Sequence, residues 1–109
     1  MAKAQSADKS CPMETALNIL SGKWRLKIIW KLMQSSIHFN ELQRQLTPIT
    51  TKTLSRELYE LEKADIVSRT VFNTNPPTVE YSLTERGESL DIILQELCSW
   101  GKLYTTDKN

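Results

Sequence analysis

The sequence predicts an α+β domain, mostly helical, with a two-stranded antiparallel hairpin placed before its last helix. Three observations predict it. Apolar residues recur at helical spacing in four segments before residue 66. The period then switches from about 3.6 to 2 through residues 66–83, where β-branched and aromatic residues gather. A final long segment returns to helical spacing.

The elements follow in order. Residues 1–10, "MAKAQSADKS", form a polar stretch expected to be a disordered arm; residues 11–105 make one domain and 106–109 a frayed tail. Pro12 suits a first helical turn, and Met13, Leu17 and Leu20 follow as one stripe. Gly22 in "SGKW" ends this helix. A second helix is expected over 23–34, with Trp24, Leu26, Ile28, Ile29, Trp30, Leu32 and Met33 nearly all round it, so it belongs at the buried centre. "SSIH" is a connector and the candidate for a short third strand. "FNELQRQL" gives a third helix with Phe39, Leu42 and Leu46 inward, and "TPI" bends the chain into the next segment.

That segment, "ITTKTLSRELYELEKADI", is charged against its own dipole. Its front holds Lys52 and Arg56 and no acid; its back holds Glu57, Glu60, Glu62 and Asp65 against Lys63 alone. A helix favours the reverse, so the front is expected to meet an anion. On a helical wheel Leu58 and Leu61 fall within about 40° of Leu54, while Lys52, Ser55, Arg56, Tyr59 and Lys63 lie roughly opposite, between about 100° and 200° from it. Taken alone, such a helix is better read as carrying an ordinary solvated face; its neighbours in the chain favour the other reading.

"IVSRTVF" and "VEYSL" read as two strands joined by "NTNPPT", too long for a two-residue turn, so the hairpin tip projects. Thr84 caps a last helix expected over 85–104, with Glu85 in its first turn. Leu90, Ile93, Leu94, Leu97, Trp100 and Tyr104 form a face expected to cover the core. Ile92 and Leu103 lie on the far side, where a second copy of the chain is the economical cover, against a reading as ordinary scattered surface apolar residues.

Two helices joined by a short bend, followed by a projecting hairpin, is the layout of a winged helix-turn-helix. There the second helix of the pair enters the DNA major groove by its N-terminal end. The expected anion is therefore DNA phosphate. Thr50, Thr51 and the helix-start N–H groups can take phosphate, while Lys52 and Arg56 reach phosphates or guanine edges. Ser55 and Tyr59 on the same face, and Arg69, Asn73 and Asn75 on the wing, complete the expected DNA-binding set.

Composition supports this indirectly. Net charge over the 109 residues is only +1. Yet residues 22–69 hold nine bases against five acids, and 80–97 hold five acids against one base, so a basic and an acidic face are hidden in the total. With one histidine, no glycine-rich loop and no paired carboxylates facing a pocket, the sequence offers nothing for acid–base or phosphate chemistry, and an enzyme is disfavoured. Cys11, Cys98 and His38 match no metal spacing, and no cofactor is expected. No apolar run approaches the roughly 18 residues of a membrane span, and the N-terminus has no signal-peptide pattern, so a soluble cytoplasmic protein is expected.

The stretches "CPMETALNILSGKW", "HFNELQRQL", "ITTKTLSRELYELEKADIVSR", "PPTVEYSLTERG" and "LCSWG" together resemble the HxlR-type winged-helix transcriptional regulators, relatives of the MarR type. The resemblance covers about residues 11–101. It implies a homodimer built through the first and last helices, with two recognition helices presented to a pseudo-palindromic operator. Met13, Leu17, Leu20, Ile92 and Leu103 are the expected dimer residues, and Thr51, Lys52, Ser55 and Arg56 fall on the recognition helix, about residues 50–63, with the wing about 66–83.

Two positions depart from the family pattern: Thr78 follows Pro77 where Arg is frequent, and Arg56 stands where Gln is frequent. Some members sense electrophiles or oxidants through the cysteine before the first-helix proline, the place of Cys11. A helix N-terminus favours thiolate, so Cys11 is the candidate sensor of a small electrophile or oxidant, against a reading as inert packing. Cys98, beside Leu97, reads as packing. The rival to a DNA-binding regulator is a winged-helix module whose basic face meets an acidic protein partner.

Overall fold

The computed structural model describes residues 11–105; the expected arm and tail lie outside them. Its elements are α1 (Pro12–Leu20), α2 (Arg25–Gln34), β1 (Ile37–His38), α3 (Phe39–Gln45), α4 (Thr51–Lys63), β2 (Val67–Phe72), β3 (Thr78–Leu83), α5 (Glu85–Glu88) and α6 (Asp91–Lys102). The winged helix-turn-helix expected from the sequence is the fold observed.

The core forms where helical stripes from α2, α3 and α4 meet the sheet. Ile28, Ile29 and Leu32 of α2, Leu42 and Leu46 at α3, and Leu54, Leu58 and Leu61 of α4 are buried with Ile37, Ile49, Ile66, Val67, Tyr81 and Leu94. Each buried aliphatic side chain contributes about 1.5–3 kcal/mol of transfer free energy. The α2 helix is central, as expected, with Trp24, Leu26, Trp30 and Met33 packed at its margins.

The candidate third strand is real. β1 pairs antiparallel with β3, Ile37 opposite Tyr81, and β3 pairs with β2, Val67 opposite Leu83, giving the order β1-β3-β2. This ties the start of α3 to the root of the wing.

The join between α4 and the wing is tightly specified. Asp65 adopts a left-handed φ of 62°. Ile66 N–H donates to Leu61 O at 2.9 Å and Asp65 N–H to Glu62 O at 3.0 Å, the paired closure of a Schellman end, with Ile66 and Leu61 both buried. Thr84 then donates its hydroxyl to Asp65 O at 2.6 Å and accepts from Gly87 N–H at 3.0 Å.

The single last helix expected over 85–104 is in fact two. Ser89 turns its hydroxyl back to Arg86 O at 2.5 Å, and Leu90 N–H closes on Gly87 O at 3.1 Å, so the chain tightens at Ser89 and Leu90 before α6 begins. The short α5 is held down by close approach. A β-carbon on Gly87 would clash with Ile66 O, a backbone atom that cannot swing aside. Gly87→Ala is therefore expected to destabilise the domain by about 1–3 kcal/mol, read as a lowered midpoint in urea unfolding. An unchanged midpoint contradicts the close approach.

The expected core-covering face of the last helix is also corrected. Only Leu94 is buried and Leu90 partly so; Ile93, Leu97, Trp100 and Tyr104 are exposed, Trp100 by 63%. After the break, α6 reaches the core only at its first turn, and the core is already closed by α2–α4 and the sheet. No helix among the described residues is long and apolar enough to cross a membrane.

Candidate nucleic-acid interface

The outward face of α4 is built by the inward one. Because Leu54, Leu58 and Leu61 are buried, Lys52, Ser55, Arg56 and Tyr59 stand exposed opposite them. Thr50 is the N-cap: its hydroxyl accepts from Thr53 N–H at 3.1 Å and donates to Thr53 Oγ1 at 3.0 Å. Its hydroxyl therefore serves the helix start itself. Thr51 donates to Gln43 Oε1 at 3.3 Å, and Gln43 Nε2 donates to Ile49 O at 3.2 Å. Gln43 thus braces the bend between α3 and α4, a role sequence reading missed because it depends on the bend being formed.

Carboxylates are withdrawn from this face. Arg25 reaches Glu57 at 2.6 Å and also donates to Ile19 O at 3.1 Å, tying α1, α2 and α4 together. With Glu57 held there, Arg56 stays within 3.6 Å of the same carboxylate yet remains exposed. Lys63 pairs with Glu60 at 3.7 Å, and Arg44 with Glu41. Hydrogen bonds from Gln45 and then Arg44 hold the Glu41 carboxyl below the ordinary carboxylate range. So Arg25, Arg44 and Lys63 of the basic stretch are engaged internally, while Lys52 and Arg69 have no carboxylate within 4.0 Å among the described residues.

A groove of about 390 Å³ runs between the start of α4 and the wing, lined by His38, Phe39, Asn40, Thr51, Ser55, Arg69, Pro77, Thr78, Val79 and Tyr81. It brings Thr51, Ser55 and Arg69 of the expected set together and adds His38 and Asn40, which sequence reading did not assign. His38 stacks on Phe72 with ring centroids 5.9 Å apart, and its Nδ1 lies 3.8 Å from Glu80. Asn73 and Asn75 stand exposed at the wing tip, outside the groove.

Residues 19–109 match the profile of the HxlR-like helix-turn-helix family. The chain belongs to the HxlR-like family. It is 46% identical over 95 residues to the HTH-type transcriptional regulator YkvN of Bacillus subtilis, covering 87% of this chain and 80% of YkvN. A MarR-family regulator from Porphyromonas gingivalis W83 superimposes with a TM-score of 0.85 at 32% identity, over 94% of this chain and 97% of that one. The oxidised form of the redox regulator HypR superimposes with a TM-score of 0.80 at 36% identity, over 91% and 99% of the two chains. As an HxlR-like protein, the chain is a transcriptional regulator of helix-turn-helix type.

The two other expected sites lie apart from this groove. Met13 and Leu17 are exposed on α1, which buries no residue, while Leu20 packs partly on the core. Ile92 and Leu103 are 72% and 74% exposed. Cys11 is half-buried at the N-cap of α1, where its carbonyl accepts from Glu14 N–H at 3.0 Å and no side-chain cap bond forms. Cys98, expected as packing, is exposed.

Proposed function

We propose that the protein is a cytoplasmic homodimer that binds a pseudo-palindromic DNA operator in sequence-specific fashion. The observation that carries this reading is the carboxylate-poor face of α4, with Lys52, Ser55 and Arg56 exposed at the end of a braced helix-turn-helix and Arg69 across the adjoining groove. The start of α4 enters the major groove, and the wing lies along the backbone with Asn73 and Asn75 at its tip. His38 and Asn40 join the phosphate-facing set.

Dimerisation rests on the apolar surface left on α1 and α6. Met13, Leu17, Ile92, Ile93, Leu97, Trp100, Leu103 and Tyr104 are all exposed in the single chain. Surfaces of this kind mark interfaces, and a two-fold axis lets one patch cover itself. Selecting bound fragments from the source genome tests the whole reading. The enriched fragments are expected to share an inverted repeat with half-sites about 34 Å apart, one turn of duplex. Enrichment without any common element contradicts it.

We further propose that Cys11 makes the regulator responsive to electrophiles. Its thiol sits at a helix start, and that helix belongs to the proposed dimer surface, so a bulky adduct there shifts the spacing of the two recognition helices. HypR, similar over most of this chain, is a redox regulator. Treatment with benzoquinone is expected to weaken operator binding by about tenfold, the scale of ordinary allosteric coupling, in wild type and Cys98→Ser but not in Cys11→Ser. Equal loss in Cys11→Ser removes Cys11 as the switch. Loss abolished by Cys98→Ser instead assigns the response to the exposed thiol on α6.

A further inference from the structure

Six of the nine bases of the basic stretch divide between two places. Lys52, Arg56 and Arg69 belong to the DNA-binding set; Lys27 and Lys31 stand one turn apart on α2, with Lys23 two residues before its start, and the DNA-binding reading above leaves those three without a role. They border a second groove of about 390 Å³, with no residue in common with the first, walled by Trp24 and Trp30 and closed by the bend at Pro48. The Lys23 and Lys27 ammonium groups each lie 5.0 Å from the centroid of the Trp24 ring. Among the described residues no Asp or Glu comes within 4.0 Å of Lys23, Lys27 or Lys31.

We propose that this groove binds a small aromatic anion, its ring against Trp24 and Trp30 and its charge among Lys23, Lys27 and Lys31. Three ammonium groups around one concavity, with no carboxylate to neutralise them, focus a positive potential there. An anion relieves the like-charge repulsion that the fold otherwise bears. Two half-buried indoles supply the apolar walls that small-ligand sites use, and the volume falls at the lower end of the usual range of about 300–1,000 Å³. A phosphate backbone would use the lysines alone; a flat ring carrying a carboxylate, sulfonate or phosphate uses the lysines and the outer faces of the indole walls together. The groove spans α2 and the bend that precedes α4, so a ligand held there touches the segment that sets the start of the recognition helix.

The proposal stands apart from the DNA-binding reading and is tested without operator DNA. The probe is 2-naphthoate, with neutral 2-naphthamide as its isostere, titrated into the full chain labelled with ¹⁵N. The three indole N–H resonances of Trp24, Trp30 and Trp100 report separately. Naphthoate is expected to shift Trp24 and Trp30 saturably and to leave Trp100 in place. It should bind about tenfold more tightly than the amide, and Lys27→Gln and Lys23→Gln should each weaken it about fivefold, the scale of a partly desolvated charge contact. Lys52→Gln, on the recognition face, should bind naphthoate as wild type does. All of these lysines are exposed, so the variants keep the fold. Equal binding of the amide, indifference to Lys27→Gln, or no saturable shift overturns the proposal. A shift of Trp24 and Trp30 by random duplex DNA or by polyglutamate, with none by naphthoate, overturns it in favour of a macromolecular contact.

Discussion

Trp100→Glu is expected to leave the domain folded, convert the protein to monomers and weaken operator binding by about a hundredfold or more. The side chain is 63% exposed and touches Tyr104, just past the end of α6, rather than the core, so the substitution removes no core packing. In a dimer the same position would bury a carboxylate in an apolar interface, a cost of several kcal/mol without a partner. Losing the second protomer turns two linked half-site contacts into one, and linkage of that kind is worth factors of about 10²–10⁴. Sedimentation equilibrium and DNA titration on the same preparation read both effects. A Trp100→Glu protein that stays dimeric contradicts the assignment of α6 to the interface.

The second large effect is expected on the recognition face. Lys52→Ala and Arg56→Ala should each reduce operator affinity by about 1–3 kcal/mol if they read base edges, with specificity relaxed at one base pair each. If either holds a phosphate instead, binding should weaken alike on all sequences and the salt slope should fall by about one. Neither change should lower stability by more than about 0.5 kcal/mol, because both side chains are exposed opposite the buried Leu54, Leu58 and Leu61 stripe. Arg56 carries a further condition. Its guanidinium lies 3.6 Å from Glu57, whose other oxygen is held by Arg25 at 2.6 Å. Arg25→Ala should leave Glu57 paired with Arg56 alone, tighten that pair and so weaken DNA binding from a residue outside the expected DNA-binding set.

Much of this architecture could be read from the chain because it is periodic. The stripe of Leu54, Leu58 and Leu61, the encircling apolar residues of α2 and the alternation through Val79, Tyr81 and Leu83 each specify an element and its inward face by spacing alone. Thr84 was legible as a cap because a hydroxyl before a helix has few other uses; Thr50 reads in the sequence as a phosphate ligand, whereas its hydroxyl caps α4. What stayed hidden depends on partners distant in sequence. Arg25 and Glu57 lie 32 residues apart, so the ion pair that holds Glu57 against α2 needed the packed structure. The break at Ser89 and Leu90 comes from a hydroxyl turning back on Arg86 and from Gly87 pressed against Ile66 O, neither of which leaves a periodic trace. Periodicity also showed that α6 has an apolar face without saying whether its own core or a second copy covers it; Ile93, Leu97 and Trp100 fell on the wrong side of that choice. On the α4 face, spacing chose Lys52, Ser55 and Arg56, whereas His38 and Asn40 reach the groove only because β1 pairs with β3.

The central claim is that the exposed face of α4 reads DNA sequence, and one titration tests it most directly. Wild-type protein is measured against the selected operator duplex and against a scrambled duplex of equal length and composition, across a range of salt concentrations. The operator is expected to bind at least about 10³-fold more tightly at physiological salt, with both affinities falling as salt rises. Equal affinity for the two duplexes, or binding to neither, contradicts a sequence-reading role for this helix.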